Sequence, residues 1–194
     1  LVKFVDRVND YYKSKDLFIT AEIENVSFSG GLSQGGWAGN FNVTAGLWFG
    51  HDYTLPAAED ELRTDGNLSV DNCKFSDMGV GIDIPGVKKG KVTVKNSTFN
   101  NLLQELFICD NINIETIIFN NRFSKSMNYD IIIWDIDMNL FGAYYSSYSV
   151  PTKRATYKIS GNFFDTYAGE PFMYPGGVSI YMIDFRTAFY PDEN

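Results

Sequence analysis

The sequence is poor in histidine and in positive charge, and both shortages exclude functions. His51 is the one histidine among 194 residues. A Ser-His-Asp hydrolase would have to use that side chain alone, so this class is not expected. Acidic residues outnumber lysine and arginine, and the net charge is −8. Binding to nucleic acid or to an anionic membrane through overall charge is therefore not expected.

Long apolar segments are also absent. No apolar run reaches the length needed to cross a bilayer, so membrane insertion is not expected. The chain starts at Leu1 without a methionine or a signal-like segment, and we expect a processed product or a piece of a larger protein. The hydrophobic content of 44% is enough for one domain with a sizeable core, which we place over residues 1–194.

What the chain does contain is a spaced repeat. The repeat has two hydrophobic residues separated by one residue. An asparagine stands two positions after the second hydrophobic residue, and a phenylalanine stands three positions after the asparagine. The copies occupy residues 21–29, 68–76, 92–100, 116–124 and 157–165, the last with Gly161 at the asparagine position. Phe75, Phe99 and Phe123 are 24 residues apart. A constant period of this kind is typical of stacked repeats.

Each copy predicts a strand, a bend and an inward ring. Alternation sends Val92 and Val94 to one face and Thr93 to the other. The asparagine marks a bend, because asparagine tolerates left-handed backbone conformations. Stacking then predicts a column of asparagines joined by amide hydrogen bonds. Its members are Asn25, Asn72, Asn96 and Asn120.

A second strand keeps the same phase in neighbouring copies. Ile82 and Ile84 follow Phe75 by seven and nine residues, and Leu106 and Ile108 follow Phe99 by the same intervals. This pattern resembles the right-handed parallel β-helix repeat of the pectate-lyase-like superfamily, over about residues 21–185. The resemblance implies an all-β solenoid of about five coils. It implies no single activity, because that fold hosts lyases, hydrolases, epimerases, phage tailspikes and non-catalytic surface proteins.

The ends of such a solenoid need a cover, because open coils expose strand edges and apolar core. Leu1, Phe4, Val5 and Val8 follow helical spacing, which predicts an amphipathic capping helix over residues 1–12; a partner-binding helix is the alternative. Residues 178–185 predict a final strand. Cys73 and Cys109 lie one and a half periods apart, so we expect two buried free thiols rather than a disulfide.

A basic column is the first candidate site. Lys88 and Lys89 stand eight and seven residues before Asn96, and Lys153 and Arg154 stand eight and seven before Gly161. Equal phase in a solenoid means the same edge of the protein, so these cations are expected along one flank. They suit an acidic glycan, whose carboxylates or sulfates would bind lysine and arginine. The alternative is a solvated turn with ordinary solubilising charge.

Aromatic residues in an insertion are the second candidate. The interval from Phe123 to Phe164 exceeds the period and contains Tyr144, Tyr145 and Tyr148. Insertions in solenoids commonly build the binding face, and flat rings stack on sugars. The alternative is that these rings only pack loops onto the coils.

An acidic pair is the third candidate. Alternation predicts that Trp134 and Ile136 point inward and that Asp135 and Asp137 point outward. Two carboxylates on one strand can bind Ca²⁺ or act as an acid and a base. The alternative is a pair of solvated surface acids, which every polar outer face supplies.

The superfamily's enzymes offer sharper patterns that this chain lacks. Polygalacturonase-like members carry an Asp-Asp pair, and none exists here. Lyase-like members pair a Ca²⁺-binding acid cluster with a basic residue, a role that Asp135, Asp137 and Arg154 would have to fill. We therefore expect a secreted or cell-surface module that engages a polysaccharide without cleaving it and needs no cofactor. A lyase or hydrolase that uses the outward acids, with Ca²⁺ as an option, and a structural adhesin or shaft segment remain the alternatives.

Overall fold

A computed structural model describes the chain in nine stretches. They are residues 2–4, 18–30, 45–50, 64–109, 111, 113–126, 128–135, 155–165 and 179–184. Within them the structure is all β, without a helix. None of these stretches contains a helical segment that is both long and apolar enough to cross a bilayer.

Sixteen strands follow one another through the described residues. In chain order they are Val2–Phe4 (β1), Phe18–Glu24 (β2), Ser27–Ser29 (β3), Ala45–Phe49 (β4), Thr64–Asp71 (β5), Lys74–Ser76 (β6), Val80–Pro85 (β7), Val87–Lys95 (β8), Thr98–Asn100 (β9), Gln104–Cys109 (β10), Asn113–Phe119 (β11), Arg122–Ser124 (β12), Tyr129–Asp135 (β13), Thr156–Ser160 (β14), Phe163–Asp165 (β15) and Ile180–Asp184 (β16).

The strands form three parallel sheets. Sheet A has the order β1-β4-β7-β10-β13-β16, sheet B the order β2-β5-β8-β11-β14, and sheet C the order β3-β6-β9-β12-β15. The chain thus visits sheets A, B and C in turn, and each strand pairs with the strand three before it. This connectivity is compatible with a parallel β-helix. Three consecutive strands, one from each sheet, are called a triplet below.

A stack of phenylalanine rings runs through the interior, as the repeat predicted. Neighbouring ring centroids are 4.8 to 5.1 Å apart, and the planes differ by 3 to 15°. The rings belong to Phe28, Phe75, Phe99, Phe123 and Phe164. The three central rings are fully buried, whereas the two end rings are partly buried. Alternate residues of sheets A and B, such as Ile82 and Val94, pack around the same core.

The bends between sheets B and C also form as predicted. The four asparagines have φ values of 50 to 59°, and Gly161 has 66°, all in the left-handed region. The column of amides is interrupted, however. Asn72 donates to Asn25 at 2.7 Å and Asn120 to Asn96 at 2.8 Å, but Asn96 donates to the Asp71 carboxylate instead.

A second column of polar side chains, which was not predicted from the sequence, stands one residue after the last three bends, at Ser97, Asn121 and Asn162. The Asn121 side chain accepts a hydrogen bond from the Ser97 backbone N–H at 2.9 Å and donates to the Val94 carbonyl at 2.9 Å. Asn162 repeats this arrangement on the next triplet, where it accepts from the Asn121 backbone N–H at 2.8 Å. These side chains satisfy buried backbone groups at the turn, which would otherwise cost free energy.

The amino-terminal prediction needs correction. Val2–Phe4 forms a strand that pairs with β4 in parallel, from Val2 opposite Leu47 to Phe4 opposite Phe49. The predicted capping helix over residues 1–12 is therefore wrong at Val2–Phe4. Pairing with the edge of sheet A gives these residues backbone hydrogen bonds that the first turn of a helix would leave unmade. Residues 5–12 lie outside the described part. Ile180–Asp184 confirms the final strand. Cys73 and Cys109 are buried free thiols, as expected.

Candidate functional site

The long connections of the chain all adjoin strands of sheet A. Every passage from sheet B to sheet C takes two residues. The long intervals all begin or end at a strand of sheet A, and they are residues 5–17, 30–44, 50–63, 136–155 and 166–179. The connections on either side of β7 and β10 are short, and Gly86 alone links β7 to β8. β7 and β10, the central strands of sheet A, are therefore flanked in the sheet by β4 and β13, which have long connections.

The outer face of sheet A is apolar and aromatic. Leu106 and Ile108 pack in the interior core, whereas Phe107 and Cys109 belong to a separate buried cluster on the opposite face. The rings of Tyr129 and Tyr181 stack at 4.7 Å and pack against this cluster. This surface was not predicted from the sequence, because a continuous apolar run such as that of β10 or β13 does not show which face of the strand is buried.

The basic pair lies at the edge between sheets A and B. Thr64 pairs with Val87 and Asp65 with Lys89, so Lys88 is an extra residue in β8. Such a bulge redirects the side chains of its strand. Gly90 belongs to the same irregularity: its φ is 135°, and a Cβ there would lie 1.9 Å from the Gly66 carbonyl oxygen. Lys88 is half-buried and Lys89 is exposed, and both stand in a strand rather than in a turn.

Other lysines on sheet B are neutralised by neighbours. Lys91 contacts Glu115 at 3.0 Å, and Lys158 contacts the same carboxylate. Lys95 contacts Asp71 at 3.1 Å. Lys158 first and Lys91 second hold the pKa of Glu115 below its usual value. Among the residues that the structure describes, Lys88 and Lys89 have no ion pair.

The remaining members of the predicted binding site lie outside the described residues. These are Lys153, Arg154, Tyr144, Tyr145 and Tyr148. The structure therefore describes one of the two predicted basic pairs and none of the three tyrosines. What it adds is the position of Lys88 and Lys89 beside the short Gly86 connection, next to the apolar outer face of sheet A.

The predicted acidic pair is described only at Asp135, whose backbone ends β13; Asp137 lies outside the described residues. Asp135 stands opposite Asp184 of β16 in the sheet register. The sequence analysis did not name Asp184, although both acids close an apolar strand. Ile131 and Ile133 pack in the interior core and Ile132 in the outer cluster. The structure does not describe the side chain of Asp135, so the outward orientation stays a prediction.

No group of three or more histidine, cysteine, aspartate or glutamate side chains within the described stretches is arranged to hold a metal ion. No protein-family model, curated protein or solved structure matches this chain significantly. The site is thus defined by geometry: two lysines on a strand bulge, at the edge between sheets A and B, without an ion pair to any described residue.

Proposed function

We propose that this chain is a right-handed parallel β-helix of about five coils, resembling the pectate-lyase-like superfamily, and that it binds an acidic polysaccharide outside the cytoplasm without cleaving it. The repeated visit to three parallel sheets and the left-handed asparagine bends support this fold. The binding site is centred on Lys88 and Lys89, at the edge between sheets A and B.

The contrast among the lysines of β8 carries the proposal. Lys91 and Lys95 have carboxylate partners at 3.0 and 3.1 Å. Lys88 and Lys89, on the same strand, have none among the described residues. An ion-paired lysine offers little to an external anion, because its charge is already compensated. Two adjacent unpaired cations supply the charge-assisted hydrogen bonds that uronate carboxylates or sulfates accept.

The described neighbours of Lys89 across the sheet do not neutralise it. Asp65 is the neighbour of Lys89 across the sheet, yet no ion pair joins the two side chains within the described part. On the other side Lys89 faces Asn113, which is exposed. An exposed amide beside two cations suits a sugar, because the amide can donate to and accept from hydroxyl groups.

The test compares two double variants of one strand. Lys88→Gln/Lys89→Gln removes the unpaired lysines, and Lys91→Gln/Lys95→Gln removes the paired ones with the same change in net charge. Binding to polygalacturonate is measured by affinity electrophoresis at two salt concentrations. The first variant should bind at least about tenfold more weakly, since each charge-assisted contact contributes roughly 1.5–3 kcal/mol. Equal losses in both variants would assign the binding to net charge and exclude this site.

One observation favours a second function, a polysaccharide lyase or hydrolase. Asp135 and Asp184 are neighbours on adjacent strands, where Cα atoms are roughly 4.8 Å apart. Acids at neighbouring strand positions can act as a glycosidase pair or bind Ca²⁺ in a lyase. This function predicts that Asp135→Asn and Asp184→Asn each abolish product release from a polysaccharide. If the wild-type protein releases no product, the enzymatic function is excluded. If it also binds no polysaccharide, the remaining function is that of a structural adhesin or shaft segment.

A further inference from the structure

Two buried acids lie side by side in sheet A. The residues on either side of Glu105 in β10 pair with the residues on either side of Asp130 in β13. Glu105 and Asp130 are therefore neighbours across the two strands. Both are 0% exposed. Acidic side chains are rarely buried so completely unless something compensates their charge.

The equivalent residues of β4 and β7 show where these acids point. They are Gly46 and Gly81 in the register of sheet A. A Cβ at Gly46 would meet the Phe75 ring at 3.1 Å, and one at Gly81 would meet the Phe99 ring at 3.0 Å. This position in the strand thus faces the phenylalanine stack in the interior. Glycine fills it in two triplets, and Glu105 and Asp130 fill it in the next two.

Five oxygens of this cluster have no hydrogen-bond partner within the described part of the chain. They are the four carboxylate oxygens of Glu105 and Asp130 and the hydroxyl of Ser126, which is 8% exposed. Ser126 nevertheless lies near enough to favour the charged form of Glu105, and Ser179 does the same for Asp130. Two carboxylates and two hydroxyls thus lie close together in one place.

Two buried carboxylate charges are costly here unless protons or a bound cation neutralise them. Burial raises the pKa of Asp130 to about 6, and burial followed by the Asp130 charge raises the pKa of Glu105 well above its usual value. Taking an ion out of water costs several kcal/mol, and an uncompensated buried charge is strongly destabilising. No lysine or arginine of the described strands forms an ion pair with either acid. One divalent cation would balance both carboxylates.

The chemistry of the donors selects the cation. All four side chains offer oxygen, which hard cations such as Ca²⁺ prefer over zinc or copper. Oxygens that share a Ca²⁺ lie at roughly 2.3–2.6 Å from the ion and are not hydrogen-bonded to one another. A set of neighbouring oxygens, five of them without a hydrogen-bond partner among the described residues, matches this requirement. A magnesium site would demand stricter octahedral geometry.

We propose that Glu105, Ser126, Asp130 and Ser179 bind one Ca²⁺ in the interior of the protein, with main-chain carbonyl oxygens as further ligands. The site joins β10, the connection from β12 to β13, β13 itself and the residue that precedes β16. It therefore joins the last two triplets, β10–β12 and β13–β15, to the final strand β16. The site is independent of the glycan site, because it faces the interior rather than the edge that carries Lys88 and Lys89.

The test is metal content together with thermal melting. The full chain is unfolded in urea with EDTA, refolded at pH 8 with CaCl₂ or with EDTA, passed over a desalting column and analysed by mass spectrometry for calcium. We expect about one Ca²⁺ per chain, and a melting temperature several degrees higher than in EDTA. Glu105→Gln should lose the ion and the calcium response. Glu115→Gln removes a half-buried acid of sheet B, away from this cluster, and should keep both.

The wild-type protein alone can overturn the proposal. A refolded chain without bound calcium, whose melting temperature does not respond to CaCl₂ and rises as the pH falls, would show that protons alone neutralise the pair. Asp130→Asn provides a second variant in case Glu105→Gln does not fold, and it should also lose the calcium response. Calcium uptake that persists in both variants would place the ion elsewhere and reject this site.

Discussion

The side-chain amide of Asn96 donates a 2.7 Å hydrogen bond to the Asp71 carboxylate of the preceding triplet. The same carboxylate lies 3.1 Å from the Lys95 ammonium group. Asn72, the counterpart of Asn96, has instead turned toward Asn25. The exposed edge at the bend is thus a mixed network of amides and charges, in which Asp71 takes the place of an asparagine.

This relationship predicts a dependence of stability on pH. The hydrogen bond from Asn96 first, and Lys95 second, hold the pKa of Asp71 below its usual value of 3.8. A lowered pKa stabilises the folded state above 3.8, and this contribution is lost as the pH falls through the lower folded value. Asp71→Asn should therefore lower the midpoint of urea unfolding at pH 7, and the difference from wild type should shrink below about pH 3.8. A difference that is equal at both pH values would contradict this role of the charge.

The ring stack gives a prediction about the core. Phe99→Ala should lower the free energy of unfolding by roughly 3–5 kcal/mol, because it empties a fully buried position between two stacked rings. Phe119→Ala is the matched control, since Phe119 is 47% exposed on sheet B, and it should cost less than about 1 kcal/mol. Urea denaturation measures both. Similar costs would mean that the period of 24 residues does not define the core.

The two asparagine columns predict opposite sensitivities. Asn121→Ala leaves the Ser97 N–H and the Val94 carbonyl without partners in a buried turn, and each orphaned group costs roughly 1–3 kcal/mol. Asn120→Gly removes an exposed amide but keeps the left-handed conformation, as Gly161 does naturally. We expect the first variant to be the less stable by at least about 2 kcal/mol in urea denaturation. The reverse order would show that the exposed column stabilises the stack.

Local patterns made much of this fold predictable. Alternation fixed the inward faces around Val92 and Ile82, and the constant spacing of Phe75, Phe99 and Phe123 fixed the stacking. Because these features repeat, agreement between the copies supports an assignment that a single copy would leave open. The strand Val2–Phe4 was not predicted, because three residues are too few to show the alternation of a strand. Val2–Phe4 is a strand because of its pairing with β4, a tertiary contact that its own sequence does not reveal.

The site was harder to predict, because its residues depart from the repeat. The bulge at Lys88 follows from the register between β5 and β8, which the spacing of lysines does not show. The burial of Glu105 and Asp130 runs against the general preference of acids for the surface. Asn121 gave a usable signal: it follows Asn120 as Ser97 follows Asn96 and Asn162 follows Gly161, three small polar residues in equal phase.

We propose that this chain binds acidic polysaccharide and leaves it intact. The most direct measurement incubates the protein with polygalacturonate, a sulfated glycan and a neutral glucan, with and without Ca²⁺, and records both retention of the protein and the size of the polymer. We predict retention by the acidic polymers, loss of it in Lys88→Gln/Lys89→Gln, and unchanged polymer length. Released oligosaccharides, or equal retention by the neutral glucan, would contradict the account.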